Sequence, residues 1–460
     1  MALRQSEDVT LQVGARLDRL PITRWQVLVR LAIGVVTFFD AFDQLLISYV
    51  LPVISQQWRL ETAGSTWAIT AGSLGMLGGA LLSGRLADRY GRVRLITVAL
   101  LVYGLTSLAL AASPGFGAFL VLRFVQGLGI GGEVPVAATY IGEIANAHRR
   151  GRFVLLYEII FPVGLLAASL TAIWVVPEYG WRWMFVLGAL PLPAVYLIRR
   201  FVPESPRWLA ARGESERALA VLDNIERRVV TYTGRPLPEP APIPATTAAA
   251  GRGAGKGTWR ELFTGRYRRR TFVLWGLWFC SYFVVYGIAS WLPTIYRTAY
   301  HLPLRTALTY SMLGTLATVV GCLLIALVID RLGRRRSLTV ASLAGGALLL
   351  AVWAMGAHDA WQVALWSSAA GTFCGAVNIG LYLYTPELYP TRIRALGCGM
   401  AGVFNRLGVI LGPVVIGAVY AGGQLATVFL VLACVSLAGC LVIALGGEET
   451  TRRPLDEVSP

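Results

Sequence analysis

Charge is scarce in this chain. Asp, Glu, Lys and Arg supply 14% of its 460 residues, where a soluble protein carries about a quarter. The six cysteines (Cys280, Cys322, Cys374, Cys398, Cys434 and Cys440) form no CxxC pair, so neither a zinc site nor a disulfide framework is indicated. Only three histidines occur, His148, His301 and His358, all at connectors between apolar runs. No His, Ser or Cys constellation stands beside an activating partner, which argues against an enzyme. The first 25 residues lack the apolar core of a signal peptide, so a retained cytoplasmic N-terminus is expected. A basic face with interleaved aromatics is missing too. The net charge of +16 therefore does not point to nucleic acid.

What the chain has is apolar length. It is 56% hydrophobic, with a mean hydropathy of +0.61. Twelve runs, from 26–54 to 424–445, are long enough to cross a bilayer, and helices are the only spanning structure such runs allow. The expected fold class is an all-α membrane protein of 12 transmembrane helices. Arginines crowd the connectors on one side, at Arg85, Arg89, Arg92 and Arg94, at Arg149, Arg150 and Arg152, at Arg331 and Arg334 to Arg336, and at Arg392 and Arg394. The opposite connectors hold only Arg59, Arg182, Arg297 and Arg305. By the positive-inside rule the rich side is cytoplasmic and both termini lie there.

The expected layout is a cytoplasmic segment over 1–25, a six-helix bundle over 26–200, a cytoplasmic linker with short helices over 201–270, a second bundle over 271–445 and a tail over 446–460. Within the linker, 214–229 has the apolar spacing of an amphipathic helix, and the Pro/Ala/Gly-rich stretch 236–257 follows. The bundles repeat. GRLADRYGRVR (84–94) echoes ALVIDRLGRRR (326–336), and YIGEIANAHRR (140–150) echoes YTPELYPTRIR (384–394). Asp88 pairs with Asp330, Gly91 with Gly333, Glu143 with Glu387 and Arg150 with Arg394, at nearly one offset. A parallel six-span duplication is the internal symmetry of one large transporter fold.

The stretch FFDAFDQLLISYVLP, Phe38 to Pro52, places Asp40 and Asp43 inside the first apolar run. Acids three residues apart share a helical face, and at mid-bilayer each costs about 2.5 kcal/mol or more. Each needs a partner, a proton or a water-filled cavity. Arg123 in the fourth run lies at a similar depth to Asp43, and separating such a pair would favour proton uptake. Arg406 stands alone in the eleventh run, and its permanently charged, planar guanidinium suits a carboxylate. Pairing with an acid such as Glu158 is the static alternative. With Glu133 and Glu158 the deep set holds four acids against two bases, so some acid carries a proton in at least one state. Which acid does so stays open.

The whole chain resembles the major facilitator superfamily of transporters. GRLADRYGR resembles its loop motif between spans two and three, RFVQGLGIGGE its fourth-span motif, and PESPRWL (203–209) the sugar-porter signature. YTPELYPTRIRALG and WLPTIY resemble the branch of synaptic-vesicle-protein-2-like, organic-ion and bacterial nicotinate transporters. DAFD is similar to the Asp-x-x-Asp of that nicotinate group and of aromatic acid/proton symporters. The resemblance implies two pseudo-symmetric six-helix bundles around a midplane cavity. It also implies a conformational latch, closed when the cavity faces outward, built from Asp88, Arg89, Gly91, Arg92, Glu143 and Arg150 with Asp330, Arg331, Arg334, Glu387 and Arg394. Glu158 stands where sugar porters carry Gln, and span five lacks the antiporter GP motif, so neutral sugar and drug efflux are disfavoured.

The expected substrate site is Arg406 and Asn405 with Glu158 and the aromatics Tyr282, Tyr286, Trp291, Tyr382 and Tyr384. The expected proton-coupling set is Asp40, Asp43, Arg123 and Glu133, with no metal and no cofactor beyond the proton. The function these expectations describe is proton-coupled uptake of a small aromatic monocarboxylate, nicotinate first, by a monomer in a bacterial-type inner membrane. A sugar/proton symporter or an organic-cation or drug carrier of the same fold is the alternative. A non-transporting membrane receptor is the distant one.

Overall fold

The computed structural model describes residue 9 and residues 12–17, 19–21, 23–144, 160–234, 236–239 and 259–451. Within them the chain is helix and connector, with no strand. The first five spans are Arg24–Gln57, Thr62–Tyr90, Arg92–Ala111, Phe116–Ile144 and Ile160–Tyr179. Span six comes in two pieces, Arg182–Gly188 and Leu192–Phe201. Pro191 and Pro193 supply no N–H to a helical ladder, which accounts for the break. Spans seven to twelve are Gly265–Thr298, Leu304–Leu332, Arg334–Ala354, Ala360–Glu387, Thr391–Ala421 and Leu425–Gly446. Among the described residues, eleven helical stretches are long and apolar enough to cross a membrane. Span ten has the length, 28 residues, but Ser367, Ser368, Thr372 and Asn378 lower its hydropathy.

Small residues let the spans approach closely. A Cβ on Gly75 would lie 2.0 Å from the Phe124 carbonyl, and one on Gly131 would lie 1.9 Å from that of Met76. Spans two and four therefore pack backbone to backbone. Gly408 and Gly412 do the same for span eleven against the Phe279 and Phe283 carbonyls of span seven.

Residues 12–17, the helix Ser215–Thr233 and residues 447–451 lie at one end of the bundle, called here the termini end. The helix buries Ala218, Leu222, Ile225 and Val229 against Val13 and Leu17. Glu226 on it accepts hydrogen bonds from Arg16 at 3.0 Å and Arg19 at 2.7 Å. Burial opposes its ionisation, but the two guanidiniums outweigh that and hold the carboxyl below the usual range.

Among the described residues, the polar contacts that join the two halves lie at mid-depth or toward the far end. Tyr286 donates to Gln44, and Tyr49 and Thr315 share a hydrogen bond at 3.3 Å. Arg305 pairs with Glu178 at 2.6 Å. Near that end Gly417 packs so closely that a Cβ there would sit 2.5 Å from Thr66 Oγ1 and 2.6 Å from the Trp291 ring.

Candidate functional site

Where the halves part, they leave a cavity lined by Thr37, Gln44, Tyr282, Tyr286, Asn378, Tyr382, Asn405 and Arg406, among others. It extends toward the termini end, where Phe161, Pro162 and Cys322 contribute. A second, mostly apolar chamber adjoins it, sharing Leu165, Val285, Tyr286 and Thr318.

Span seven supplies one wall as an aromatic column. Trp278, Tyr282 and Tyr286 recur every four residues, which places them on one helical face. Trp278 stacks on Tyr282 at 5.5 Å and Tyr282 on Tyr286 at 5.7 Å, the latter with planes 13° apart. Across the cavity the Tyr382 hydroxyl meets that of Tyr282 at 3.2 Å. Span eleven brings Arg406 and its neighbour Asn405 to the same space. Arg406 is half-buried and forms no ion pair among the described residues. Asn405 Oδ1 is buried without a donor. A cation, an unused amide oxygen and flat aromatic faces around one cavity can hold a planar anion.

Two expected residues stand elsewhere. Trp291 is 1% exposed, donates to the Pro413 carbonyl at 2.9 Å and walls the closed far end. It lies five residues beyond Tyr286, about 140° around the helix, and so cannot share that face. Tyr384 is buried on the side of span ten away from the cavity, about 160° from Tyr382. Its hydroxyl donates to the Glu448 carbonyl at 2.7 Å. Neither residue lines the cavity. Glu158 and Arg150 lie outside the described residues.

Beside the cavity sits a closed ion pair. Arg123 donates to Asp43 Oδ2 at 3.0 Å and to Gln126 Oε1 at 2.7 Å. Gln126 in turn donates to Asp43 Oδ1 at 2.8 Å and to Ser107 at 2.7 Å. Both oxygens of Asp43 are thereby satisfied, and the network ties spans one, three and four together. Asp40 and Glu133, each 1% exposed, contrast with it. Their side chains face each other, and no donor reaches Asp40 Oδ2 or either carboxyl oxygen of Glu133.

The charges expected to form the latch lie at the termini end, where those of each half pair among themselves. Arg92 meets Asp88 at 3.0 Å and Glu143 at 3.3 Å, and Arg334 meets Asp330 at 2.6 Å and Glu387 at 3.2 Å. Gly91 and Gly333 turn the chain with φ of 105° and 95°, which a side chain rarely adopts. Of the others, Arg89 lies over the Tyr90 ring, Arg331 borders a surface groove, and Arg394 donates to the Tyr389 carbonyl. Two further acids complete the pattern. Glu204 accepts from the backbone of Arg92 at 2.9 Å and Val93 at 3.2 Å, capping span three. Glu449 accepts from the backbone of Arg334 at 2.8 Å, capping span nine. Burial opposes ionisation of Glu449, but hydrogen bonds from Thr451 and the Arg334 backbone prevail and hold its carboxyl low. The repeat reaches Tyr384 as well, because Tyr140 donates to the Pro203 carbonyl in the first half as Tyr384 does to Glu448 in the second.

Gln44, Gln126, Trp278, Asn378, Glu204 and Glu449 are absent from the sequence expectations. Gln126 stands one helical turn after Arg123 and Gln44 directly follows Asp43, so polar residues flanking a buried charge were the readable signal.

The family model described as "Sugar (and other) transporter" matches residues 27–460. Among curated proteins, the niacin transporter NiaP of Acinetobacter baylyi is 34% identical over 97% of this chain and 100% of its own length. The gallate transporter of Pseudomonas putida is 29% identical over 98% of each. Among solved structures, the proton:xylose symporter XylE, of the major facilitator superfamily, superposes with a TM-score of 0.71 at 17% identity, covering 94% of this chain and 98% of that one.

Proposed function

Since the chain belongs to the sugar (and other) transporter family of the major facilitator superfamily, we propose that this multi-pass membrane transporter takes up a small aromatic monocarboxylate, nicotinate first, together with a proton. The observation that carries the proposal is Arg406, a half-buried cation without an ion-pair partner among the described residues, in a cavity walled by Tyr282, Tyr286 and Tyr382. The carboxylate of the substrate pairs with the guanidinium, and the ring stacks on the tyrosine column. Relatives whose names specify niacin and gallate, both aromatic carboxylates, support the same class.

Proton coupling has a physical motive. Bringing an anion in against an inside-negative potential costs about 2.3 kcal/mol per 100 mV, and one accompanying proton cancels the charge. With the arginine-rich termini end cytoplasmic, as the positive-inside rule gives, the far-end contacts make the cavity inward-facing. Latch charges paired within each half fit that state, because a latch between the halves would close only when the cavity faces outward. Transport then alternates by rocking the two bundles about the cavity.

Competition tests the substrate class. Nicotinate should displace labelled nicotinate from the purified protein, whereas nicotinamide, without the carboxylate, should be at least tenfold weaker. Equal potency would contradict a carboxylate held by Arg406.

A further inference from the structure

The second chamber, beyond Tyr286, is built unlike the cavity that holds Arg406. Span seven gives Tyr282 and Tyr286 to the cavity, and Ile288, Ala289 and Leu292 to the chamber. The chamber therefore lies about one helical turn nearer the closed far end. Leu45 and Leu165 of the first half join those three as its apolar walls, and among the described residues no charged side chain lines it. A carboxylate placed there would give up its water and gain no cation, so the chamber excludes the anion that Arg406 suits.

The remaining wall is a row of hydroxyls on span eight, Ser311, Thr315 and Thr318. Ser311 donates its proton to the Ala307 carbonyl and Thr318 to that of Gly314, each at 2.9 Å. Thr315, between them, meets the Tyr49 hydroxyl at 3.3 Å. A hydroxyl whose proton is committed to its own helix keeps free lone pairs, so this wall presents acceptors rather than donors. Ser367 on span ten, 3% exposed, lines the chamber as well. The Tyr296 phenol approaches its hydroxyl, yet the two complete no hydrogen bond of ordinary geometry. Tyr286, which the two spaces share, adds an aromatic surface. Acceptors on one wall and hydrocarbon on the others suit an uncharged ring with a single donor.

We infer that this chamber is a second ligand site, separate from the one at Arg406, which takes an uncharged aromatic molecule of the phenol class. The ring lies among Leu45, Leu165, Ile288 and Leu292, and its O–H donates to the hydroxyl row of span eight. Binding there needs neither a negative charge on the ligand nor the guanidinium. The chamber keeps this chemistry whether or not nicotinate is the transported substrate.

Fluorine NMR of 4-fluorophenol with the purified full-length protein tests this. The signal should move saturably as the ligand is titrated, and 4-fluoroanisole, the same ring without the donor, should bind about fivefold more weakly or worse. Ser311→Ala/Thr315→Val removes two acceptors at nearly constant volume and should weaken 4-fluorophenol by a similar factor. Ala289→Phe, which fills the chamber, should abolish its binding. Arg406→Ala should leave its affinity within about twofold, since that side chain lies outside the chamber. A shift that never saturates, equal affinity for the anisole, unchanged affinity in Ser311→Ala/Thr315→Val, or loss of binding in Arg406→Ala would each overturn the inference. Should Ala289→Phe fail to fold, the Ser311→Ala/Thr315→Val variant and the anisole comparison decide. No arm uses nicotinate, so these results stand apart from the fate of the carboxylate reading.

Discussion

Arg406 holds its charge in a half-buried setting with no ion pair among the described residues, and that makes it the most testable side chain in the cavity. A charge-assisted hydrogen bond contributes about 1.5–3 kcal/mol, so Arg406→Ala should weaken nicotinate binding about tenfold to a hundredfold, with Arg406→Lys intermediate. Isothermal titration checks this, and unchanged affinity in the alanine variant would remove Arg406 from the site. At this scale the sequence was informative about charge and poor about direction. A charge inside an apolar run announces itself, as Asp40, Asp43, Arg123 and Arg406 do. An aromatic does not, because a cavity wall and a packed core use the same residue. Tyr286 and Trp291 stand on one helix, and only the face each presents separates cavity wall from packed core.

Among the elements, the repeat is the clearest lesson. The echoes at 84–94 and 140–150 were legible as strings, and they mark Arg92–Glu143 and Arg334–Glu387 as paired networks. The caps were not legible as a pair, because Glu204 lies in PESPR and Glu449 in GGEETT, which share little as strings yet meet equivalent helix starts. Each accepts several backbone donors, so Glu204→Ala and Glu449→Ala should each lower stability by about 1–2 kcal/mol. Thermal unfolding in detergent checks both, and a silent Glu449→Ala would break the equivalence.

Nearby, buried Arg270 donates to Glu448 Oε1 at 3.1 Å, the chief reason that carboxyl lies below the usual range. A carboxyl with a lowered folded value adds stability above its unfolded value and loses it as pH falls through the folded one. Glu448 is 40% exposed, so the gap between wild type and Glu448→Gln should be only about 0.5–1 kcal/mol at neutral pH. It should close on acidification below about pH 4, where melts at several pH values would show convergence.

Across the whole molecule, the far-end closure rests on close packing more than on charge. Arg305 and Glu178 are about half exposed and contribute little to stability. Gly417, by contrast, leaves no room for a Cβ between Thr66 and Trp291. Gly417→Leu should hold the far end open, abolishing uptake while leaving substrate binding. Spin-label distances between the far ends of spans two and eleven should lengthen by several ångström, about the width of the added side chain. An unchanged distance with normal uptake would show that this contact is not the gate. The apolar runs were legible in the sequence because hydropathy reveals a span, span ten being marked more by its length. Which end is closed was not, since that depends on how two halves with near-equal patterns lean on each other.

Proton-driven movement of an aromatic carboxylate can be measured in a single experiment. Labelled nicotinate is given to proteoliposomes holding the wild-type protein, with the interior more alkaline than the bath. Accumulation above the outside concentration, collapsing when a protonophore dissipates the gradient, is the predicted result. Accumulation that ignores the gradient, or no flux of nicotinate at all, would contradict the account.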